Sequence, residues 1–144
     1  MSGRRIYVAG GTSDIERVND VQSIARAFGC EITFDWTGGE GELRTDGSWN
    51  TAPENGAELA AREIAACVSA DLVIVLCPPS GQGLGCWIEM GAALACGAEV
   101  WVVEPERDSV FWQHPRVIQL SGIADITLLL YSAALTQPDE KTTR

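Results

Sequence analysis

A chain of 144 residues, 46% hydrophobic and 21% charged, suffices for one domain with a sheet covered on both faces, and its composition excludes disorder. A formal net charge of −10 argues against general binding to nucleic-acid backbones, while an isolated nucleoside or nucleotide needs no basic patch. No apolar run approaches the roughly 20 residues that span a bilayer, and five cysteines without a C-x-x-C pair argue against a disulfide framework or a zinc site.

The first strand is expected at Arg5–Ala9, ending in the turn Gly10-Gly11. Thr12, Ser13 and Asp14 are placed to cap a helix from Ile15 to Phe28, whose apolar stripe is Ile15, Val18, Val21, Ile24, Ala25 and Phe28. Gly29 closes it. Glu31–Trp36 alternates and reads as a second strand. Residues 37–53 carry Gly, Asp, Asn and Ser without pattern and read as a long loop. Glu54–Val68 reads as a helix, with Ala57, Ala60, Ala61, Ile64, Ala65 and Val68 at helical spacing. Asp71–Cys77, Glu99–Val103 and Val117–Leu120 are the remaining strands, and Ile123–Leu135 the last helix. Alternating strands and helices imply an α/β fold. The expectation is a single doubly wound, flavodoxin/Rossmann-like domain over residues 1–135 with a central parallel five-stranded sheet, and a polar tail over 136–144. No G-x-G-x-x-G fingerprint follows the first strand, so no dinucleotide is expected, and no other cofactor is indicated.

Between the third strand and its helix runs Pro78-Pro79-Ser80-Gly81-Gln82-Gly83-Leu84-Gly85, and Glu89 follows. Strand, glycine loop and helix place a reactive group at the carboxyl edge of a parallel sheet. Gly85, Cys86, Ala92 and Ala93 leave room for a ligand to approach Glu89. Glu89 reads as a nucleophile, a general base or simply an anion in the helix's first turn, where the macrodipole contributes about 0.3–1 kcal/mol and favours the ionised form. Tyr7 is a core residue or an aromatic hydroxyl in a site. Asp35 divides between a solvent-facing strand end and a ligand contact; His114 and the tryptophans read first as structural. Ser80 and Gln82 could bind phosphate or sugar with help from loop amides.

Four segments carry a resemblance: Ile6–Gly11, Phe34–Thr37, Ala70–Leu76, and Gly83-Leu84-Gly85 with Glu89–Gly97. Over residues 6–129 the chain resembles the nucleoside 2-deoxyribosyltransferase superfamily, including its nucleotide N-hydrolases and N-glycosidases. The resemblance implies cleavage of the N-glycosidic bond of a (deoxy)nucleoside or its 5′-monophosphate, with the sugar passed to another base or to water. It implies Glu89 as nucleophile and Tyr7 as the hydroxyl that approaches it. It implies substrate contacts from Gly10, Gly11, Asp35 and Trp36, with Ser80, Gly81, Gln82, Gly83 and Gly85 in the second loop. Where transferases of that group carry an aspartate and N-hydrolases a serine, six residues before the glutamate, this chain has Gly83. That departure keeps a second reading open: a catalytically inactive nucleotide-binding or regulatory domain. Partners expected are a small nucleoside or nucleotide and further copies of the chain in a homo-oligomer, with no nucleic acid and no membrane; the location expected is the cytoplasm.

Overall fold

Runs of β-branched residues make the centre of the sheet, and helices follow each strand. The computed structural model describes residues 3–38, 42–43, 49–51 and 56–136. In chain order its elements are β1 (Arg5–Ala9), α1 (Ile15–Ala27), β2 (Glu31–Ile32), β3 (Glu42–Leu43), β4 (Trp49–Thr51), α2 (Gly56–Val68), β5 (Leu72–Leu76), α3 (Leu84–Ala95), β6 (Glu99–Val103), β7 (Val117–Leu120) and α4 (Ile123–Thr136). Five strands form one parallel sheet in the order β2-β1-β5-β6-β7. This is the doubly wound α/β architecture expected from the sequence.

Period-two alternation sorts the sheet into two cores. Ile6, Val8, Leu72, Ile74, Leu76, Trp101 and Val103 face Val18, Val21 and Ala25 of α1 and Ile126 and Leu130 of α4. Tyr7, Ala9, Val73, Val75, Val100 and Val102 face Ala66 and Cys67 of α2 and Cys86, Met90 and Ala93 of α3. Tyr7 pairs in register with Val73, and Val73 with Val100, so one row of side chains lies beneath α2 and α3.

Several expectations change. The second strand stops at Ile32, and Trp36 sits in a 3-10 turn, Trp36–Gly38. Its indole Nε1 donates to the carbonyl oxygen of Val8 at 2.8 Å, which pulls the chain out of the sheet plane and over the end of β1. The loop expected over 37–53 contains a short antiparallel pair, β3 with β4; residues 39–41, 44–48 and 52–53 lie outside the described residues. α2 turns a different face inward: Ala66 and Cys67 are buried while Ala57, Ala60, Ala61 and Ala65 are exposed. Alanines differ little in apolar area from the backbone around them, so their spacing fixes the phase of a helix weakly. α4 runs through Thr136, and the tail from residue 137 on lies outside the described residues.

If Trp36 serves mainly to tie this turn to β1, Trp36→Phe keeps most of the packing and loses one hydrogen bond. The expected cost is about 0.5–1.5 kcal/mol in urea unfolding, with ligand affinity unchanged. Unaltered stability together with weakened ligand binding would assign the indole to a ligand instead.

Candidate active site

The loop after β5 begins with cis-free Pro78-Pro79 and turns through two glycines at positive φ, Gly81 at 82° and Gly83 at 70°. Gly83 is the N-cap of α3, and a Cβ there would lie 2.2 Å from Cγ of Pro78. Left-handed backbone and a proline ring together demand glycine at this point. Gly83, expected as a substrate contact, thus has a sufficient structural reason of its own. No side chain caps α3, and the helix starts at Leu84, so Glu89 is its sixth residue rather than a first-turn anion. This overturns the expectation that the helix macrodipole keeps Glu89 ionised, because that effect fades within the first turn.

Glu89 instead points inward. It is 9% exposed and, with Gln22, one of two buried polar or charged side chains in the described core. Its carboxyl pKa is pushed up to about 8, first by burial and then by the charge of Glu63, while the nearby Tyr7 hydroxyl acts in the opposite sense. Gly85, one turn earlier, would place a Cβ 3.5 Å from Oε1 of Glu89, so its missing side chain leaves the carboxyl group room.

Beneath Glu89 lies Tyr7, fully buried. Its hydroxyl has no hydrogen-bond partner among the described residues. The two groups are close without being well aligned: burial first, and the charge of Glu89 second, drive the phenol pKa far upward. A buried unpaired hydroxyl costs about 1–3 kcal/mol, which a partner at the site would recover.

Glu63 of α2 completes the cluster, and the sequence reading missed it. It is half-buried, and burial raises its pKa. The available signal was its place four residues before Cys67, on one helix face with a cysteine that reads as core. Arg62, next to it, lies over the ring of Phe34 at 4.7 Å. Cys67 and Cys86 flank the carboxylates; burial and then Glu89 push the Cys86 thiol up to about 12 and the Cys67 thiol higher still. These are protonated thiols and serve as walls.

The other expected site residues have contacts of their own. Gly10 is needed for close packing of α1, since a Cβ would come within 2.6 Å of Cγ2 of Val18; Gly11 faces Pro78. Asp35 accepts from Thr37 Oγ1 at 2.6 Å, Thr37 N–H at 3.0 Å and Gln22 Nε2 at 3.3 Å. Burial would raise its pKa, but these bonds outweigh it and hold the carboxylate below its usual value. Ser80, Gly81 and Gln82 line a separate cavity of about 210 Å³, walled also by Cys77, Glu106 and Arg107, to which Glu89 does not contribute. A larger apolar hollow of about 440 Å³ lies along α3 between Trp87, Met90, Leu94, Phe111 and Trp112.

No family model matches the chain, and no curated protein matches it. Among solved structures, the Clostridium botulinum CMP N-glycosidase BcmB matches with a TM-score of 0.58, over 89% of this chain and 99% of that one, at 17% sequence identity. This chain has that enzyme's fold. At the level of the fold, the match agrees with the family resemblance carried by the β1 turn and the Gly83–Gly97 segment.

The burial of Glu89 has a sign that can be measured. Unfolded, it ionises near its ordinary value of 4.5; folded, near 8. The folded state therefore holds the proton longer. Stability from this group is fully present below about pH 4.5 and is lost as pH rises through about 8. Glu89→Gln removes that dependence. Relative to wild type it gains stability steadily between pH 5 and pH 8, at up to about 1.4 kcal/mol per pH unit. Urea unfolding of both proteins across that range checks it; a difference independent of pH would mean that Glu89 is not held protonated.

Proposed function

We propose that the protein cleaves the N-glycosidic bond of a (deoxy)nucleoside or nucleoside 5′-monophosphate, with Glu89 as nucleophile. The observation that carries this reading is the pair of carboxyl groups, Glu89 and Glu63, set against a buried unpaired hydroxyl, Tyr7. Two neighbouring carboxyl groups, both raised by burial, can divide the roles of acid and nucleophile. At rest the pair holds one proton, on Glu89; the productive state is the one in which that proton has passed to Glu63 and Glu89 is ionised.

Glu89 attacks the anomeric carbon as the bond to the base breaks, and its negative charge stabilises the oxocarbenium-like transition state. Glu63 gives its proton to the departing base. The glycosyl ester on Glu89 is then opened by water or a second base, whose proton returns to Glu63, and the configuration at the anomeric carbon is retained. Tyr7 donates to the Glu89 carboxylate once the charge has formed. The acid sought in the glycine loop is in this reading supplied by α2. The similarity in fold to a CMP N-glycosidase supports the reaction class. A homo-oligomer belongs to the same reading, supported by the exposure of Leu84, Ile88, Val110 and Phe111 around the α3 hollow.

The raised pKa of Glu89 also supplies the one observation that favours a binding-only domain, since a carboxyl group protonated at neutral pH is a poor nucleophile. Chromatography of free base released from a panel of nucleosides and monophosphates separates the two. Enzymatic release is expected, with Glu89→Ala and Glu89→Gln lowering it at least about 1,000-fold while both remain folded. For wild type, kcat/KM is expected to fall as pH rises through about 8, where the pair loses the proton it shares, and Glu63→Gln, which removes the acid, to lower it across the range. Wild-type rates in the Glu89 variants, or no release from any substrate, would remove catalysis from the reading. Size-exclusion chromatography with light scattering is expected to give a dimer or larger; a monomer with full activity would show that one chain builds the site.

A further inference from the structure

α3 presents a second face besides the one that buries Glu89. Cys86, Glu89, Met90 and Ala93 turn inward. Leu84, Trp87, Ile88, Gly91 and Leu94 recur at helical spacing on the other side, where Leu84 is 75% and Ile88 54% exposed. The hollow of about 440 Å³ opens on this stripe, walled by the indoles of Trp87 and Trp112, whose ring centroids are 5.6 Å apart. Gly91 lines it, in mid-helix, and a Cβ built there meets nothing within 4 Å. Packing within the described residues therefore gives no reason for a glycine, and glycine inside a helix lowers stability relative to alanine. An occupant from outside the chain supplies the reason.

Beside the hollow stands a projection that suits it. Phe111 is 66% exposed on the rim, in the short turn Val110–Gln113. The turn is tied down: Phe111 N–H donates to Ser109 Oγ at 3.2 Å, His114 N–H to the Phe111 carbonyl at 3.2 Å, and Trp112 Nε1 to the Arg107 carbonyl at 2.8 Å. The ring is thus held in water at little further entropic cost to a contact. A projecting ring and a hollow on one patch are what a two-fold contact requires, since each copy must offer both. Charge selects the same partner. The molecule carries a formal net charge of −10, so two copies repel over most of their surface. The outward face of α3 has no charged residue, because its one acid, Glu89, is buried. An anionic lipid surface is repelled by the rest of the molecule, and a basic partner finds no acid on this face.

We propose that a second copy of this chain docks on the α3 face about a two-fold axis, each copy seating its Phe111 in the other's hollow above Gly91. This contact supplies the homo-oligomer that accompanies the N-glycosidic reading. It is measured without substrate, so failure of the reaction and failure of the contact are separate results.

Size-exclusion chromatography with light scattering is run on the full-length chain over a dilution series from about 100 μM to about 1 μM, with circular dichroism to establish folding. The proteins are wild type, Gly91→Leu, Phe111→Asp and Leu128→Asp. Leu128 is 65% exposed on α4, across the sheet from α3, and tests the other apolar surface. Wild type is expected to dimerise and Leu128→Asp to match it. Gly91→Leu fills the hollow at a point where a Cβ has room, and Phe111→Asp replaces the projecting ring with a charge. Each is expected to raise the dimer dissociation constant at least about tenfold. If Phe111→Asp fails to fold, Gly91→Leu decides alone. Wild type that stays monomeric throughout the series would overturn the proposal. So would a dimer that survives either folded variant, or one that Leu128→Asp breaks. Monomeric wild type that binds vesicles of neutral phosphatidylcholine would assign the face to a lipid surface instead.

Discussion

Glu89 is a carboxyl group held out of water against one face of a parallel sheet, and the arrangement around it follows from that burial. The side-chain alternation of β1 turns Tyr7 toward α2 and α3 and its neighbours Ile6 and Val8 away. Because β1, β5 and β6 are in register, the row Tyr7, Val73, Val100 makes a level floor. α3 packs on that floor through Cys86, Met90 and Ala93, and Glu89 shares this buried face. α2 packs beside it and brings Glu63 into range. No single element makes the site; the two-residue period of a strand and the 3.6-residue period of two helices meet there.

Such a centre works against stability. Apolar burial across both faces of the sheet, on the order of 1.5–3 kcal/mol for each fully buried large side chain, offsets the cost of a desolvated acid and an unpaired hydroxyl. Local choices reduce the cost as well. The absence of a side chain at Gly85 leaves open space beside the carboxyl group, and the flanking thiols bring no competing charge. The one non-glycine residue at positive φ among the described residues, Glu104 at 53°, follows β6 at the same carboxyl edge of the sheet as the glycine loop.

Much of the fold was legible because the central strands are dense runs of β-branched residues bounded by glycine and proline. β1, β5, β6 and β7 lie within a residue or so of their expected positions. β2 was overextended because Thr33 to Trp36 keeps an alternating pattern while a long-range bond from Trp36 to Val8 draws the chain aside. Glu89 stood out by its glycine loop. Its surroundings did not, because the start of α3 depends on a left-handed Gly83 wedged against Pro78, which spacing does not reveal. Glu63 had only the weak signal of its spacing to Cys67, for a related reason. In an alanine-rich helix, which face turns inward is settled by what lies opposite, and that is a property of the folded chain.

The formal net charge of −10 counts Glu89 as ionised, whereas burial keeps its proton on at neutral pH, leaving the folded molecule one unit less negative than its sequence. A ligand that needs the carboxylate must therefore move that proton on arrival, to Glu63 or out to solvent. Association and acidity are then a single thermodynamic event. Where the proton leaves the protein, the apparent affinity weakens by up to about tenfold per unit as pH falls below about 8, and the heat of binding changes with the protonation enthalpy of the buffer; where Glu63 takes it, neither dependence arises.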